Sequence, residues 1–316
     1  MSDLWLVGAG PMAVEYSKVF DHLLVDYTVI GRGTTSASEF RNNTGKNVIT
    51  GGLASFLSTG PDIPETAVVS VGVEVLAETT IALLKYGIRS ILLEKPGALT
   101  VSGLKEIRAY ALTAKASVFI AYNRRFFDSV IMAKNVIKQD GGIKSFTFDF
   151  TEWSHIIEGL DKYPGVKDNW LIGNSSHVID LAFYLGGKPS KMSSHTAGEL
   201  SWHKAGSAFV GSGVSENGAL FSYHANWGAP GRWGVELLTR NNKLILCPLE
   251  ALQSVEIGKV VPEFLYQQPQ SEILKPGLKN MVEAWLSADY SSLCSLADQI
   301  GAWTMMEGIV SGNQVE

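Results

Sequence analysis

The chain has 316 residues, of which 46% are hydrophobic and 18% charged, and its formal net charge is −5. This length suits two domains, and the composition is typical of a globular protein rather than a disordered one. The acidic balance, without a long basic run, argues against nucleic acid as the main partner. No apolar run reaches the roughly eighteen residues of a membrane span, and the N-terminus lacks a signal-peptide pattern, so we expect a cytoplasmic protein.

The first apolar strand runs directly into the motif GAGPMA at residues 8–13 and then into a helical pattern. Gly8 would allow the tight turn, Gly10 would let backbone amides approach a pyrophosphate, and Ala13 would let helix and strand pack closely. The pyrophosphate would lie on the helix N-terminus, where N–H groups and the helix dipole favour an anion, and Pro11 suits the first helical turn. The motif predicts a dinucleotide site; a tight turn without a ligand is the alternative. The expected cofactor contacts in this motif are Gly8, Gly10, Pro11, Met12 and Ala13.

A second strand at 27–30 completes a βαβ unit and ends at Gly31 and Arg32. A carboxylate at this position would bind the adenine ribose, but the sequence has none there. Arg32 can pair with a 2′-phosphate, which favours NADP over NAD. A solvated arginine that stacks on the adenine of either cofactor is the alternative, so NAD and NADP both remain expected cofactors.

Further apolar strands alternate with helical patterns, the strands near 48–49, 67–71, 90–93 and 118–121 and the helices at 76–86 and 101–114. This alternation predicts a parallel, doubly wound sheet whose ligands lie at the carboxyl ends of its strands. Glu94, Lys95 and Pro96 follow one of these strands, and the proline restricts the lysine before it to extended backbone. Lys95 is therefore placed to contact a ligand, and Glu94 and Lys95 are expected cofactor contacts; an exposed ion pair between these two residues is the alternative.

The pattern changes after the sequence NRRF at residues 123–126 and a helical run to about Gln139. The following β segments have no alternating helices, which is typical of an open, largely antiparallel sheet. They lie near 145–151, 191–196, 207–212, 219–224, 234–239 and 243–246, with helical patterns at 275–288 and 291–310. We predict a dinucleotide-binding Rossmann domain over 1–122 and a substrate-binding and oligomerisation α/β domain over 123–316.

Two stretches of the second domain carry candidate site residues. In the polar segment 152–170, Trp153, Tyr163 or Trp170 could stack on a sugar ring or a base, or instead anchor the segment to the core. Further on, the sequence predicts a helix capped by Asn174 or Ser175 and ended by the glycines at 186–187.

His177 and Asp180 are three residues apart in that helix, so both lie on one helical face. The carboxylate could orient the imidazole, or both groups could contact one ligand; a structural histidine is the alternative. The two cysteines, Cys247 and Cys294, are too few for a disulfide framework, and we expect buried free thiols. The histidines show no metal-site spacing, so no metal is expected.

Together the motifs at 8–13, 94–96, 123–126 and 177–180 resemble those of the Gfo/Idh/MocA family of NAD(P)-dependent oxidoreductases, over essentially the whole chain. The resemblance implies a Rossmann domain followed by an open-faced α/β domain whose sheet often forms the oligomer contact. It also implies hydride transfer at a sugar or polyol carbon. Carried over, Lys95 lies near nicotinamide and the substrate hydroxyl, His177 is the acid/base, and Asp180 binds or orients. Many members have an acid a few residues before the histidine, where this chain has Asn174, so that role is not transferred.

The chemistry agrees with these roles, because hydride leaves a carbinol carbon only as its O–H proton is removed and imidazole titrates near neutrality. The polar aromatic segment, the paired arginines and the short second domain look most like family members that act on nucleotide-linked amino sugars for bacterial surface polysaccharides, such as UDP-N-acetylglucosamine 3-dehydrogenases. A free-sugar or inositol dehydrogenase is one alternative, and a noncatalytic dinucleotide-binding sensor is another. The expected substrate contacts are Lys95, Asn123, Arg124, Arg125, Tyr163, Asn174 and His177.

Overall fold

The computed structural model describes residues 4–269, 273–312 and 314–315. The chain forms two compact units, the first built from 1–122 and 273–301 and the second from 123–272 and 302–316. Within the described residues no helix has both the length and the apolar composition needed to cross a membrane.

The first unit is a doubly wound α/β layer structure, as predicted. Its strands are β1 (Leu4–Val7), β2 (Tyr27–Ile30), β3 (Val48–Ile49), β4 (Thr66–Val69), β5 (Ser90–Leu93) and β6 (Ser117–Ile120). They pair in parallel in the order β6-β5-β4-β1-β2-β3. All four residues of β1 are buried, which is expected of a central strand covered on both faces.

Five helices follow these strands: α1 (Pro11–His22), α2 (Thr34–Thr44), α3 (Gly52–Ser58), α4 (Leu76–Tyr86) and α5 (Val101–Ala114). The bounds of α4 and α5 are those predicted, and α1 lies where a helical pattern was predicted after the glycine motif. Neither α2 nor α3 was predicted: α2 buries only Ala37 and Phe40, and α3 buries no residue. α2 lacks an apolar stripe, and α3, although Leu53, Phe56 and Leu57 are half-buried, is too short for a helical period to be detected.

The second unit combines helices α6 (Asp128–Gln139), α7 (Ser154–Ile157) and α8 (Ser176–Gly186) with one large sheet. The strands are β7 (Ser145–Asp149), β8 (Pro189–Ala197), β9 (Ala208–Ser215), β10 (Leu220–Asn226), β11 (Gly234–Leu238), β12 (Asn242–Leu246), β13 (Ala251–Glu256) and β14 (Glu263–Gln267). Their pairing is antiparallel except for β7 with β10, which confirms the predicted open and largely antiparallel sheet. Burial alternates strictly along β10, so one sheet face is covered. Strands β13 and β14 were not predicted.

The last segment contains α9 (Leu278–Leu286), β15 (Cys294–Ser295), α10 (Leu296–Ser311) and β16 (Gln314–Val315). β15 pairs antiparallel with β6, and α9 contacts α1, so 273–301 belong to the first unit. The two compact units divide between 122 and 123, and 273–301 lie with the first unit; the functional domains over 1–122 and 123–316 stay a prediction. β16 pairs with β8 in the second sheet.

Both cysteines are free thiols; Cys294 is buried as expected, whereas Cys247 is exposed.

Candidate dinucleotide cleft and polar cluster

A cleft of about 1000 Å³ opens in the first unit at the carboxyl ends of five parallel strands. Parallel strands end at one sheet edge, which brings the segments after β1, β2, β3, β4 and β5 together. Of the predicted cofactor residues, the cleft is lined by Gly8, Gly10, Pro11, Met12, Arg32, Glu94 and Lys95. Ala13 is fully buried in α1, the place that close helix–strand packing requires. The loop that begins at Ser70 also lines the cleft and was not among the predicted site residues.

The two glycines of the first turn meet different local demands. Gly8 has a φ of +127°, and a Cβ there would overlap the carbonyl oxygen of Ser70. The Gly8 N–H donates to the Ile30 carbonyl oxygen at 2.8 Å, which joins the turn to the end of β2. Gly10 precedes α1 in extended conformation, and a Cβ there would meet no atom within 4 Å.

The N-terminus of α1 is therefore open on the side of Gly10. No side chain caps it, and Pro11 lacks an N–H, so the remaining N–H groups of the first turn can bind an anion. The open cradle and the volume of the cleft fit a dinucleotide.

Glu94 forms a fixed part of the cleft wall. The Tyr16 hydroxyl donates to Glu94 Oε1 at 2.8 Å, which joins α1 to the end of β5. Burial raises the pKa of Glu94, while the hydrogen bond from Tyr16 and the positive charge of Lys95 oppose that rise. Burial and the nearby carboxylate raise the pKa of Tyr16 well above its ordinary value.

The loop after β2 carries Arg32, the cation predicted to bind the adenosine part of the cofactor. Arg32, Gly33 and Ser36 line the cleft, and no carboxylate stands among them. Ser36 Oγ donates to the Gly33 carbonyl oxygen at 3.2 Å at the start of α2. The acids that line the cleft follow other strands: Glu74 and Glu78 belong to the segment after β4, and Glu94 follows β5.

In the second unit, α8 carries His177 and Asp180, each 7% exposed. Phe183 of the same helix packs edge-on against Phe146 and Phe148 of β7, with ring centroids 5.9 and 5.4 Å apart. The helix is thereby fixed against the covered face of the sheet.

The predicted N-cap at Asn174 or Ser175 is wrong. A π-helical turn, Leu171–Ser175, runs directly into α8, and Ser175 has helical dihedral angles and makes no capping bond. Ser175 Oγ and Asn174 Nδ2 instead donate to Glu152 Oε1, at 2.7 and 2.9 Å. These two side chains thus donate to a buried carboxylate, whereas the side chain of a cap would accept from backbone N–H groups.

Asp180 forms a bidentate ion pair with Arg125. Arg125 Nε donates to Oδ2 at 2.7 Å and Nη2 to Oδ1 at 2.5 Å, and the two side chains are 11% and 5% exposed. The guanidinium also lies 4.8 Å from the Tyr184 ring. The structure thus brings two predicted site residues together in a pair that holds α8 to the turn Asn123–Phe126. Asn123 of that turn is itself buried.

A cluster of two arginines and two tryptophans, Arg124, Arg232, Trp153 and Trp233, contacts the buried Glu152 through Arg232; we call it the arginine–tryptophan cluster. The Arg232 guanidinium is 4.3 Å from the Trp233 ring and 4.8 Å from the Trp153 ring, and Arg124 lies 4.9 Å from Trp233.

The His177 ring lies 6.1 Å from the Trp233 ring. Sequence reasoning named Arg124 and Trp153 but missed Glu152, Arg232 and Trp233. Arg232 and Trp233, adjacent in the sequence just before β11, are the signal that could have pointed to this cluster.

Two other predicted aromatic residues differ in exposure. Trp170 is 9% exposed and packs edge-on against Trp202, which is the anchoring role. Tyr163 is 57% exposed. Across the described ranges, no three His, Cys, Asp or Glu side chains are grouped so that they could hold a metal ion.

No protein-family model matches this sequence, and no curated protein sequence is significantly similar to it. Solved structures match over nearly the whole chain. Levoglucosan dehydrogenase in complex with NADH and L-sorbose is 19% identical, with a TM-score of 0.78 over 99% of this chain and 97% of that one.

UDP-N-acetylglucosamine 3-dehydrogenase from Acidithiobacillus ferrooxidans is 11% identical, with a TM-score of 0.74 over 98% and 97% of the two chains. A super-repressor mutant of Gal80p from Saccharomyces cerevisiae is 15% identical, with a TM-score of 0.79 over 99% and 97%. The chain thus has the fold of Gfo/Idh/MocA-type NAD-binding oxidoreductases, as its sequence motifs implied.

Proposed function

We propose that this protein is an NAD(P)-dependent oxidoreductase of the Gfo/Idh/MocA type that transfers a hydride between nicotinamide and a carbinol or keto carbon of a sugar. The observation that carries the proposal is the first-unit cleft, which combines an open glycine cradle at the start of α1 with Lys95 at the end of β5. Structures of similar fold contain NADH with a sugar, or NAD+, which supports the same use of the cleft here.

When bound, the nicotinamide supplies the two-electron acceptor or donor of the reaction. The protein must then move the hydroxyl proton and stabilise charge on the carbinol oxygen. His177 serves as the acid/base, since imidazole exchanges protons readily near neutral pH. Lys95 stabilises the developing alkoxide by its positive charge. Asp180 orients the site through its ion pair with Arg125.

The substrate we favour is a nucleotide-linked amino sugar of the UDP-HexNAc type. In the arginine–tryptophan cluster, the Arg232 side chain is 43% exposed and Trp153 is 45% exposed, which offers a cation and an aromatic face to an anionic ligand with rings. Arg124, Asn123 and Tyr163 complete the proposed contacts, and Asn174 and Arg125 act through Glu152 and Asp180. A free sugar is the alternative, because levoglucosan dehydrogenase has the same fold and binds levoglucosan.

A noncatalytic NAD(P)-binding sensor is the candidate of another class, since a Gal80p repressor mutant shares the fold. A sensor needs neither proton transfer nor alkoxide stabilisation, so Lys95 and His177 favour the enzyme. As oligomer contact we propose the open face of the second sheet.

The test is a turnover screen in which the purified protein meets UDP-amino sugars and free sugars with NAD and NADP in parallel, read by absorbance and mass spectrometry. Mass spectrometry detects a product two mass units lighter even when a retained cofactor cycles without net absorbance change. We expect Lys95→Ala and His177→Ala to lose turnover by about 100-fold or more, with cofactor affinity unchanged for His177→Ala. Parent-like turnover in both variants would overturn the assigned roles, and cofactor binding without turnover of any sugar would favour the sensor.

A further inference from the structure

Glu152 lies at the centre of a hydrogen-bond network in the second unit. Its side chain is 1% exposed, and its Oε1 accepts hydrogen bonds from Asn174 and Ser175, the last two residues of the π-helical turn. That turn leads directly into α8, whose second residue is His177. One carboxylate oxygen therefore fixes the backbone segment from which the imidazole projects.

The other carboxylate oxygen acts through the arginine–tryptophan cluster. Arg232 Nη1 lies 3.2 Å from Glu152 Oε2, and the same guanidinium lies over the Trp153 ring and over the Trp233 ring. Trp153 Nε1 donates to the Gly231 carbonyl oxygen at 3.0 Å, which ties it to the loop that carries Arg232. Trp233, only 4% exposed, is the ring next to His177. The carboxylate is thus linked to His177 by a second route, through Arg232 and Trp233 just before β11.

A buried carboxylate is a costly way to hold a loop unless its charge is needed. Burial raises the pKa of Glu152, and the donors from Ser175, Asn174 and Arg232 all oppose that rise. A π-helical turn is itself rare in proteins and frequently marks a functional position. Both features converge on the residues that surround His177.

We propose that Glu152 is a positioning residue for His177: through the π-helical turn on one side, and through Arg232 and Trp233 on the other, it sets the orientation of the imidazole. This inference rests on the proposed function, which gives His177 the acid/base role.

The first test follows the His177 ring by NMR in protein with 15N-labelled histidine, without ligand, its resonance identified by its loss in His177→Ala. Glu152→Gln keeps the size and one acceptor oxygen but removes the charge, and it should shift the His177 resonance. Asp140→Asn is the matched control, because Asp140 also accepts from three side chains, namely Thr239, Asn241 and Asn242. The control should leave the His177 resonance unchanged.

The second test is a double-mutant cycle on turnover with the substrate found in the screen. Glu152→Gln should lower kcat about 10- to 100-fold, as expected for a misplaced catalytic group, with KM for the sugar within about twofold. In the His177→Ala background, Glu152→Gln should not lower kcat further, because the residue that Glu152 positions is absent. An additive loss in that background, or an unchanged His177 resonance, overturns the inference.

The cycle also separates the inference from the proposed function. Parent-like turnover in His177→Ala overturns the function assigned to His177, whereas a loss in His177→Ala with none in Glu152→Gln overturns the positioning role alone. Should Glu152→Gln not fold, Arg232→Met decides, because its half-exposed side chain can be replaced with less risk to the core. A parent-like His177 resonance in Arg232→Met then counts against the inference.

Discussion

At the scale of single residues, Gly8 and Gly10 separate a requirement of folding from a requirement of binding. Gly8→Ala introduces a methyl at positive φ that overlaps the Ser70 carbonyl, so we expect a loss of at least about 2 kcal/mol of stability. Gly10→Ala meets no protein atom and should keep the parent's melting temperature, but lose dinucleotide affinity because its methyl faces the open cradle. Thermal melts and titration with NADH and NADPH measure both. Equal destabilisation by the two variants would contradict this division.

Arg32 provides a residue-scale test of cofactor preference. If its guanidinium pairs with the 2′-phosphate, Arg32→Ala should weaken NADPH binding about 10- to 100-fold, the usual range for charged hydrogen bonds. NADH affinity should change little, because NADH has no such phosphate. Isothermal titration of both cofactors to both proteins gives the comparison. Tighter binding of NADH than NADPH by the parent would refute the preference for NADP that Arg32 predicts.

Glu94 predicts a pH dependence of stability. Because burial raises the pKa of Glu94 above its ordinary value of 4.5, the folded state favours the neutral form. Its contribution is therefore fully present below pH 4.5 and is lost as the pH rises through the folded-state pKa. Glu94→Gln cannot ionise and can still accept from Tyr16, so its urea midpoint should exceed the parent's at pH 7.5 by more than at pH 4.5. The same replacement at Glu15, in a surface ion pair with Lys18, is the control.

Much of the first-unit site could be predicted, because a glycine motif and strand-end residues are local features of a sequence. Ion pairs are not: Asp180 was expected to face His177 from its spacing alone, but Arg125, 55 positions away, holds both its oxygens. Glu152 was missed for the same reason, since its donors lie 22 to 80 positions further along the chain. No periodicity records such distant partners.

At the scale of elements, the Arg125–Asp180 pair should be what fixes α8 to the turn before α6. Asp180→Ala leaves the nearly buried guanidinium without either hydrogen bond to the carboxylate, and breaking such a pair typically costs about 3–5 kcal/mol. Denaturant unfolding followed by tryptophan fluorescence measures the loss. Glu199→Gln removes the exposed pair with Lys204, whose side chains are 67% and 65% exposed, and should leave the midpoint unchanged. A similar denaturation midpoint in both variants would show that the buried pair contributes no more to stability than the exposed pair.

Most elements with a buried face were predictable from sequence, although β13 was missed with three of its six residues buried. The bounds of α4 and α5 follow from their apolar stripes, whereas α2 is mainly polar and α3 is too short to show a helical period. β14 was missed because four of its five residues are exposed, so it lacks the alternation that identifies a half-buried strand. Whether an element could be predicted from the sequence thus depended mainly on how its residues are buried.

At the scale of the whole molecule, the chain leaves the first unit after Tyr122 and returns to it at 273–301. The return adds β15 to the edge of the parallel sheet and places α9 against α1, the helix that begins at the glycine cradle. Four residues of α9 are buried, which are Leu278, Met281, Val282 and Trp285. A sequence pattern shows that such a helix exists but not which sheet it covers.

Residues 1–122 should therefore be an incomplete domain. We expect this fragment to melt broadly and bind NADH weakly, because α1 and β6 lose the apolar partners supplied by the return segment. Joining 273–301 to it through a flexible linker of about 20 glycine and serine residues should restore a cooperative melt and NADH affinity. The joined fragment with Val282→Asp, which places a charge in the buried face of α9, should behave like 1–122 alone. Calorimetry and NADH fluorescence compare the three proteins. A cooperative melt and full NADH affinity in 1–122 by itself would show that this fragment folds and binds without the return segment.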